Sequence, residues 1–129
     1  MTVVLDSWAI LRLVEGMEPM ATLVDDVITQ QRPLMSWINV GEVYYVTCRE
    51  AGQDAAGEIV RGLRTVLDLE VPSDNRILAA AGIKADHPLA YADVFAAATA
   101  IAHDAELWTG DPELLVAGAP WRWLDLRAA

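Results

Sequence analysis

Residues Leu89 to Leu114, LAYADVFAAATAIAHDAELWTGDPEL, decide how this chain folds. Their first half predicts a helix of mostly small apolar residues with one carboxylate, Asp93, set into it. The neighbours of Asp93 at helical spacing, Leu89, Ala90, Ala96 and Ala97, are all apolar. The second half predicts a short buried strand, Ala105 to Thr109, that runs directly into a Gly-Asp-Pro turn carrying Asp111. A carboxylate on an apolar face is costly unless it finds a partner, a metal or a raised pKa.

Working outward, Thr2 to Leu5 is a β-branched apolar run that predicts a fully buried strand. It ends in Asp6 and Ser7, an acid at the carboxyl end of the strand and a hydroxyl at the start of a helix. Trp8, Ile10, Leu11, Leu13 and Val14 mark that helix, which stops near Gly16 and Pro19. Leu23, Val24, Val27 and Ile28 form the stripe of a second helix, Met20 to Gln31. Pro33 precedes a second strand, Leu34 to Trp37, and Asn39 is placed to cap the next helix. In that helix Val40, Val43, Tyr44, Val46 and Thr47 make the apolar face, and Glu42 has Ile38, Asn39, Tyr45 and Val46 as neighbours. A further helix runs from about Asp54 to Leu67, and Leu69 to Val71 is a brief strand. Ser73 or Asp74 caps a helix from Asn75 to about Asp86, which His87-Pro88 ends. Beyond the opening stretch, Leu114 to Ala117 is at most one helical turn, and Trp121 to Leu126 reads as a last strand with Trp121 and Trp123 facing one way.

No repeat, linker or low-complexity tract interrupts this order. Residues 1–129 are therefore expected to form a single domain, a three-layer α/β/α sandwich around a short, mostly parallel five-stranded sheet. The 54% hydrophobic fraction excludes a disordered chain. No apolar run reaches the ~18 residues that a membrane-spanning helix needs. The N-terminus lacks the basic and apolar regions of a signal peptide, so a cytoplasmic protein is expected. The one cysteine, Cys48, excludes an internal disulfide framework and is expected to pack as a small core hydrophobe. A net charge of -10 runs against nucleic-acid binding, which ordinarily shows as a basic patch. Arg61, Arg64 and Arg76 are close enough in sequence to share a surface, and acids that bind divalent cations would cancel part of the excess locally.

In open α/β sheets ligands bind outside the carboxyl ends of the strands. Asp6 and Asp111 each follow a strand, and Asp93 and Glu42 lie near the starts of their helices, so all four acids can converge on that edge. Four close carboxylates cannot all stay ionised without a cation. Hard oxygen ligands of this kind suit Mg²⁺ or Mn²⁺. Two such ions about 4 Å apart can activate a water and stabilise both oxygens of an in-line phosphodiester displacement. Ser7, Asn39 and Thr109 are placed to orient metal-bound water or a carboxylate. Each acid also has an ordinary reading: Asp6 as a helix cap, Asp111 as a turn residue, and Asp93 or Glu42 paired with Arg12 or Arg49. His87 and His103 read as structural, and Trp8, Trp37 and Trp108 either pack in the core or stack on bases.

Four stretches together resemble the PIN-domain family, and within it the small VapC-type toxins: VVLDSWAIL, SWINVGEVYY, KADHPLAYADVFAAATAIAHDAELWTGDPEL and the closing short strand. The resemblance implies a Mg²⁺- or Mn²⁺-dependent endoribonuclease with Asp6, Glu42, Asp93 and Asp111 as its acidic quartet. It also implies a toxin held in check by a cognate antitoxin, an RNA substrate (tRNA, rRNA or mRNA) and a homodimer. Two positions depart from the family pattern. Ala90 stands where a Ser or Thr often caps the helix of Asp93, and Val40 stands near Glu42 where a Thr is frequent. Two other readings compete. One is a PIN scaffold without catalysis that acts as a protein- or RNA-binding module. The other is a phosphatase or receiver with an acid after its first strand. A phosphatase of the haloacid-dehalogenase type would want a second Asp where Trp8 stands, and a receiver would want a Lys late in the chain, whereas Lys84 is the only lysine.

Overall fold

Val3, Val4 and Leu5 are almost wholly shielded from solvent because the strand they form lies at the centre of a sheet covered on both faces. The structure is a computed structural model and describes residues 1–129. Eleven elements follow one another: β1 (Val3–Leu5), α1 (Ser7–Glu15), α2 (Met20–Gln30), β2 (Leu34–Ser36), α3 (Trp37–Ala51), α4 (Gln53–Val66), β3 (Asp68–Glu70), α5 (Asp74–Asp86), α6 (Tyr91–Ala102), β4 (Glu106–Thr109) and β5 (Arg122–Asp125). The five strands form one sheet in the order β3-β2-β1-β4-β5, and every pairing is parallel.

Alternation along the strands builds two cores. Val3 and Leu5 point to one face with Met35, Leu126 and residues of α1 to α4; Val4 points to the other with Leu34, Leu107, Trp121 and the alanines of α6. The expected three-layer sandwich is thus present, with α1 to α4 on one side and α5 and α6 on the other. The small side chains of α6 have a packing role: eight consecutive residues from Asp93 to Ala100 are buried, and alanine lets this helix lie close against the sheet.

Strand and helix ends differ from expectation by a residue or two, and three differences have a physical cause. Trp37 opens α3 instead of closing β2, and the cap is Ser36, whose side chain accepts the Ile38 N–H at 3.2 Å. Asn39 therefore lies inside the first turn and is fully buried. The third strand begins at Asp68 because its amide pairs with the Pro33 carbonyl, which leaves Val71 outside the sheet and largely exposed. Two packing expectations fail. Tyr44 faces solvent, and Cys48, on the same helix face one turn later, is only half-buried. Trp8, Trp37 and Trp108 all pack against the α1–α4 core.

Ala90 occupies the N-cap position of α6 in extended conformation and makes no side-chain cap, so amides of the first turn lack the acceptor a hydroxyl would supply. Ala90 is exposed, so nothing crowds a larger side chain. Replacing Ala90 by Ser is expected to stabilise the protein by ~1 kcal/mol in urea denaturation; an unchanged midpoint would mean that the helix start is already satisfied.

Candidate metal centre

The carboxyl edge of the sheet is where the chain's acids meet. Asp6 follows β1 and caps α1, its Oδ1 accepting the Ala9 N–H at 2.9 Å. Asp111 follows β4 one residue after Gly110. Glu42 stands in the second turn of α3 and Asp93 in the first turn of α6. Asp6, Ser7, Trp8, Leu11, Glu42, Asp93 and Asp111 line one cleft of about 120 Å³. Of the seven residues named from the sequence, the structure brings five to this cleft and leaves Asn39 and Thr109 behind its wall.

Those two hold the wall together. The Thr109 hydroxyl donates to Asp6 Oδ2 and accepts the Asp111 N–H at 3.0 Å, so one side chain joins both strand-end acids. Asn39 donates through Nδ2 to the Ala92 carbonyl at 3.0 Å, next to Asp93. Ser7 donates through Oγ to the Asn39 carbonyl at 3.2 Å. The starts of α1, α3 and α6 are thereby tied to one another. Gly110 is required by its contact with Trp8. A Cβ there would stand 2.3–2.6 Å from three adjacent ring carbons, so the indole lies across the turn between Thr109 and Asp111.

No cationic side chain is among the residues lining the cleft. Neither arginine considered as a partner reaches Asp93: Arg12 pairs with Glu15 at 2.6 Å and Arg49 lies over the Tyr45 ring. Asp93 is 8% exposed and its carboxylate makes no hydrogen bond within the chain. Its pKa is raised to about 7, first by burial and then by the charges of Asp111, Glu42, Asp6 and Glu113. Asp6 is likewise raised to about 7 by burial, with Asp111 and Glu42 adding to the rise and the hydrogen bonds from Thr109 and Ala9 opposing it. Such crowding is what a divalent cation relieves. The donor set fits one: carboxylate oxygens of Asp93, Asp111 and Glu113 lie within 4.8 Å of one another, and all are the hard ligands Mg²⁺ and Mn²⁺ prefer.

Glu113 did not emerge from the sequence. It follows Asp111 by two residues, and its N–H donates to Asp111 Oδ1 at 3.0 Å, a turn that folds its carboxylate back toward the site. The Asp-Pro-Glu spacing was the available signal. The basic residues also regroup: Arg76 turns inward to Glu70, which His103 shares, and so does not join Arg61 and Arg64 on a common surface.

The raised pKa values set a sign for the metal-free protein. Between about pH 4 and pH 7 the folded chain holds protons on Asp6 and Asp93 that the unfolded chain has released, so stability falls as pH rises through that window. Asp93→Asn is expected to be more stable than the native chain at pH 8 in EDTA, with the gap closing near pH 5. Parallel pH profiles in urea denaturation would contradict this.

Comparison with known proteins follows the same geometry. The family model for the PIN domain matches residues 3–119. Among curated protein sequences none matches significantly. A chain of the VapBC2 complex from Rickettsia felis, solved bound to a DNA fragment from its promoter, superposes with TM-score 0.77 at 12% identity, covering 97% of this chain and 98% of that one. A chain of DNA-bound VapBC from Salmonella typhimurium gives 0.77 at 16% identity, covering 98% of each. VapC20 of Mycobacterium tuberculosis, described as a sarcin-ricin loop cleaving toxin, gives 0.76 at 15% identity, covering 91% and 95%. The solved structures carry the fold, the family model carries the sequence pattern, and the chain belongs to the PIN domain family.

Proposed function

We propose that this chain is the toxin of a toxin–antitoxin pair: one PIN domain, residues 1–129, acting in the cytoplasm as a metal-dependent endoribonuclease. The observation that carries the reading is a cleft holding four carboxylates, Asp6, Glu42, Asp93 and Asp111, with no cationic side chain in its lining. A non-catalytic scaffold has no reason to maintain that repulsion, which favours the enzyme over a pure binding module. The similar chains solved within DNA-bound VapBC complexes support a protein partner for this chain too. Ile77 and Leu78 on α5 and Tyr91 on α6 are exposed apolar side chains on two helices packed against each other, available to the expected homodimer.

In this reading Asp6, Glu42, Asp93 and Asp111 hold Mg²⁺ or Mn²⁺, with Glu113 within 4.8 Å of the Asp93 and Asp111 carboxylates. The ion, when bound, supplies Lewis acidity toward a phosphodiester and acidifies a water. The chain's residues do the positioning. Asp6 is oriented by two donors, the Thr109 hydroxyl and the Ala9 amide, and so presents a fixed carboxylate. Its raised pKa and its position at the cleft wall suit it to hold a proton near neutral pH when no cation is present. Trp8 and Leu11 provide the apolar wall that limits water at the acids.

Purified protein incubated with total RNA is expected to cleave it with Mg²⁺ or Mn²⁺, to stop in EDTA, and to lose cleavage in Asp6→Asn. Absence of metal-dependent cleavage together with absence of calorimetric Mn²⁺ binding would leave the scaffold reading standing. Thr109→Val removes the hydroxyl that joins the two strand-end acids while keeping the side chain's shape. It is expected to lower metal affinity or turnover roughly 10–100-fold, read by calorimetry beside initial rates.

A further inference from the structure

The largest cavity lies outside the acidic cleft. It measures about 270 Å³ and is lined by Arg32, Trp37, Arg64, Leu67, Asp68 and Leu69. β3 is the edge strand, two places or about 10 Å across the sheet from β1, and the cavity runs along it, with Arg32, Leu67 and Asp68 at the amino ends of β2 and β3 and Trp37 at the other end. Trp37 immediately follows β2 and so stands on the same carboxyl edge as the acids.

The cavity matters because of where the positive charge of this acidic chain goes. Of nine basic residues, Arg12, Arg61, Arg76, Arg122 and Arg127 each lie within 4.0 Å of a carboxylate. Lys84 donates to the Leu89 carbonyl, and Arg49 rests on Tyr45. Arg32 and Arg64, neither of which makes an ion pair, line this cavity together. The Arg64 guanidinium lies 4.6 Å from the centre of the Trp37 ring and makes no hydrogen bond or ion pair within the chain, so all its N–H donors are free. Arg32 is held by the carbonyls of Thr65 and Arg64 at 2.9 and 3.1 Å, which cap the end of α4 and leave its other donors available.

We propose that this cavity binds a nucleotide of single-stranded RNA flanking the bond held at the acidic cleft, with Arg64 and Arg32 on the phosphate and the Arg64–Trp37 stack presented to the base. The proposal rests on the ribonuclease reading above and gives a chain of net charge -10 a phosphate contact made by two arginines together. A guanidinium fork matches phosphate geometry, and a guanidinium plane already stacked on indole is a surface on which an unpaired base can stack. An acidic peptide would use the charge but leave the planar surface unused, so RNA is the better fit. A single strand crosses the interval between cavity and cleft in a few nucleotides.

The test uses the full chain in EDTA, where RNA is not cleaved, and a labelled single-stranded RNA of about eight nucleotides, a length within the span of one small binding domain. Fluorescence anisotropy is recorded across a salt series. Arg64→Ala is expected to weaken binding roughly 5–10-fold and to reduce the salt slope by about 0.7, the loss of one phosphate contact. Asp68→Asn removes the cavity's only carboxylate and is expected to tighten binding roughly 2–5-fold, a change that loss of structure cannot imitate. No binding by the native chain, or the same affinity and slope in both variants, overturns the proposal. So does a dependence on Arg64 and Asp68 seen with a poly-glutamate peptide and not with RNA. The two readings fail separately. If metal-dependent cleavage occurs with the same KM in Arg64→Ala and RNA affinity is unmoved, the cavity assignment alone falls. If nothing is cleaved and Arg64→Ala still weakens RNA binding, the ribonuclease reading alone falls.

Discussion

The Thr109 hydroxyl is the interaction on which the arrangement of this molecule depends. It donates a hydrogen bond to Asp6 and accepts one from the Asp111 amide, so the ends of two adjacent parallel strands become one rigid rim. Fully buried, the hydroxyl has no water to exchange with, and losing either partner would leave a buried polar group unsatisfied. The acids it aligns repel one another, and the fold resists that repulsion through covalent and packing constraints. Asp6 is anchored as a helix cap, Asp111 by its turn, Glu42 and Asp93 by helices whose starts are joined through Ser7 and Asn39.

Small side chains do the spatial work around that rim. The alanines of α6 bring the helix of Asp93 down onto the sheet, and Gly110 admits the Trp8 ring across the strand-end turn. Both are close approaches that a larger residue would block. The consequence is electrostatic. Asp93 is withdrawn from water without acquiring a hydrogen-bond donor, and Asp6 is withdrawn with two. Burial raises both pKa values, and the neighbouring carboxylates raise them further. A site with this character is poised to exchange protons for a divalent cation.

The distribution of positive charge is a second organising feature. Most arginines are consumed in local pairs with carboxylates, which keeps the surface field acidic despite nine basic residues. The Arg32–Arg64–Trp37 cavity gathers two arginines that make no ion pair, and it runs along the edge strand from the amino ends of β2 and β3 to Trp37 just beyond β2.

Local pattern sufficed for much of this protein. The buried run Val3–Leu5, the alanine-rich helix and the Thr-Gly-Asp-Pro turn made the order of strands and helices legible, and with it the parallel sheet. Asp6 and Asp111 were readable as strand-end acids because crossover connections bring strand ends to one edge. What the sequence left undetermined depends on contacts between distant residues. That Thr109 bridges Asp6, that Asn39 reaches Ala92 and not its own helix start, and that Gly110 is bare to receive Trp8 are facts of tertiary packing. Glu113 joined the cluster through a two-residue turn whose direction no periodicity specifies. The arginines show the limit most clearly: Arg76 lies nearer to Arg64 in sequence than Arg32 does, yet Arg32 shares its cavity, because β2 and β3 are neighbours in the sheet. Periodicity determines which residues face inward, and only the closed sheet decides which of them meet.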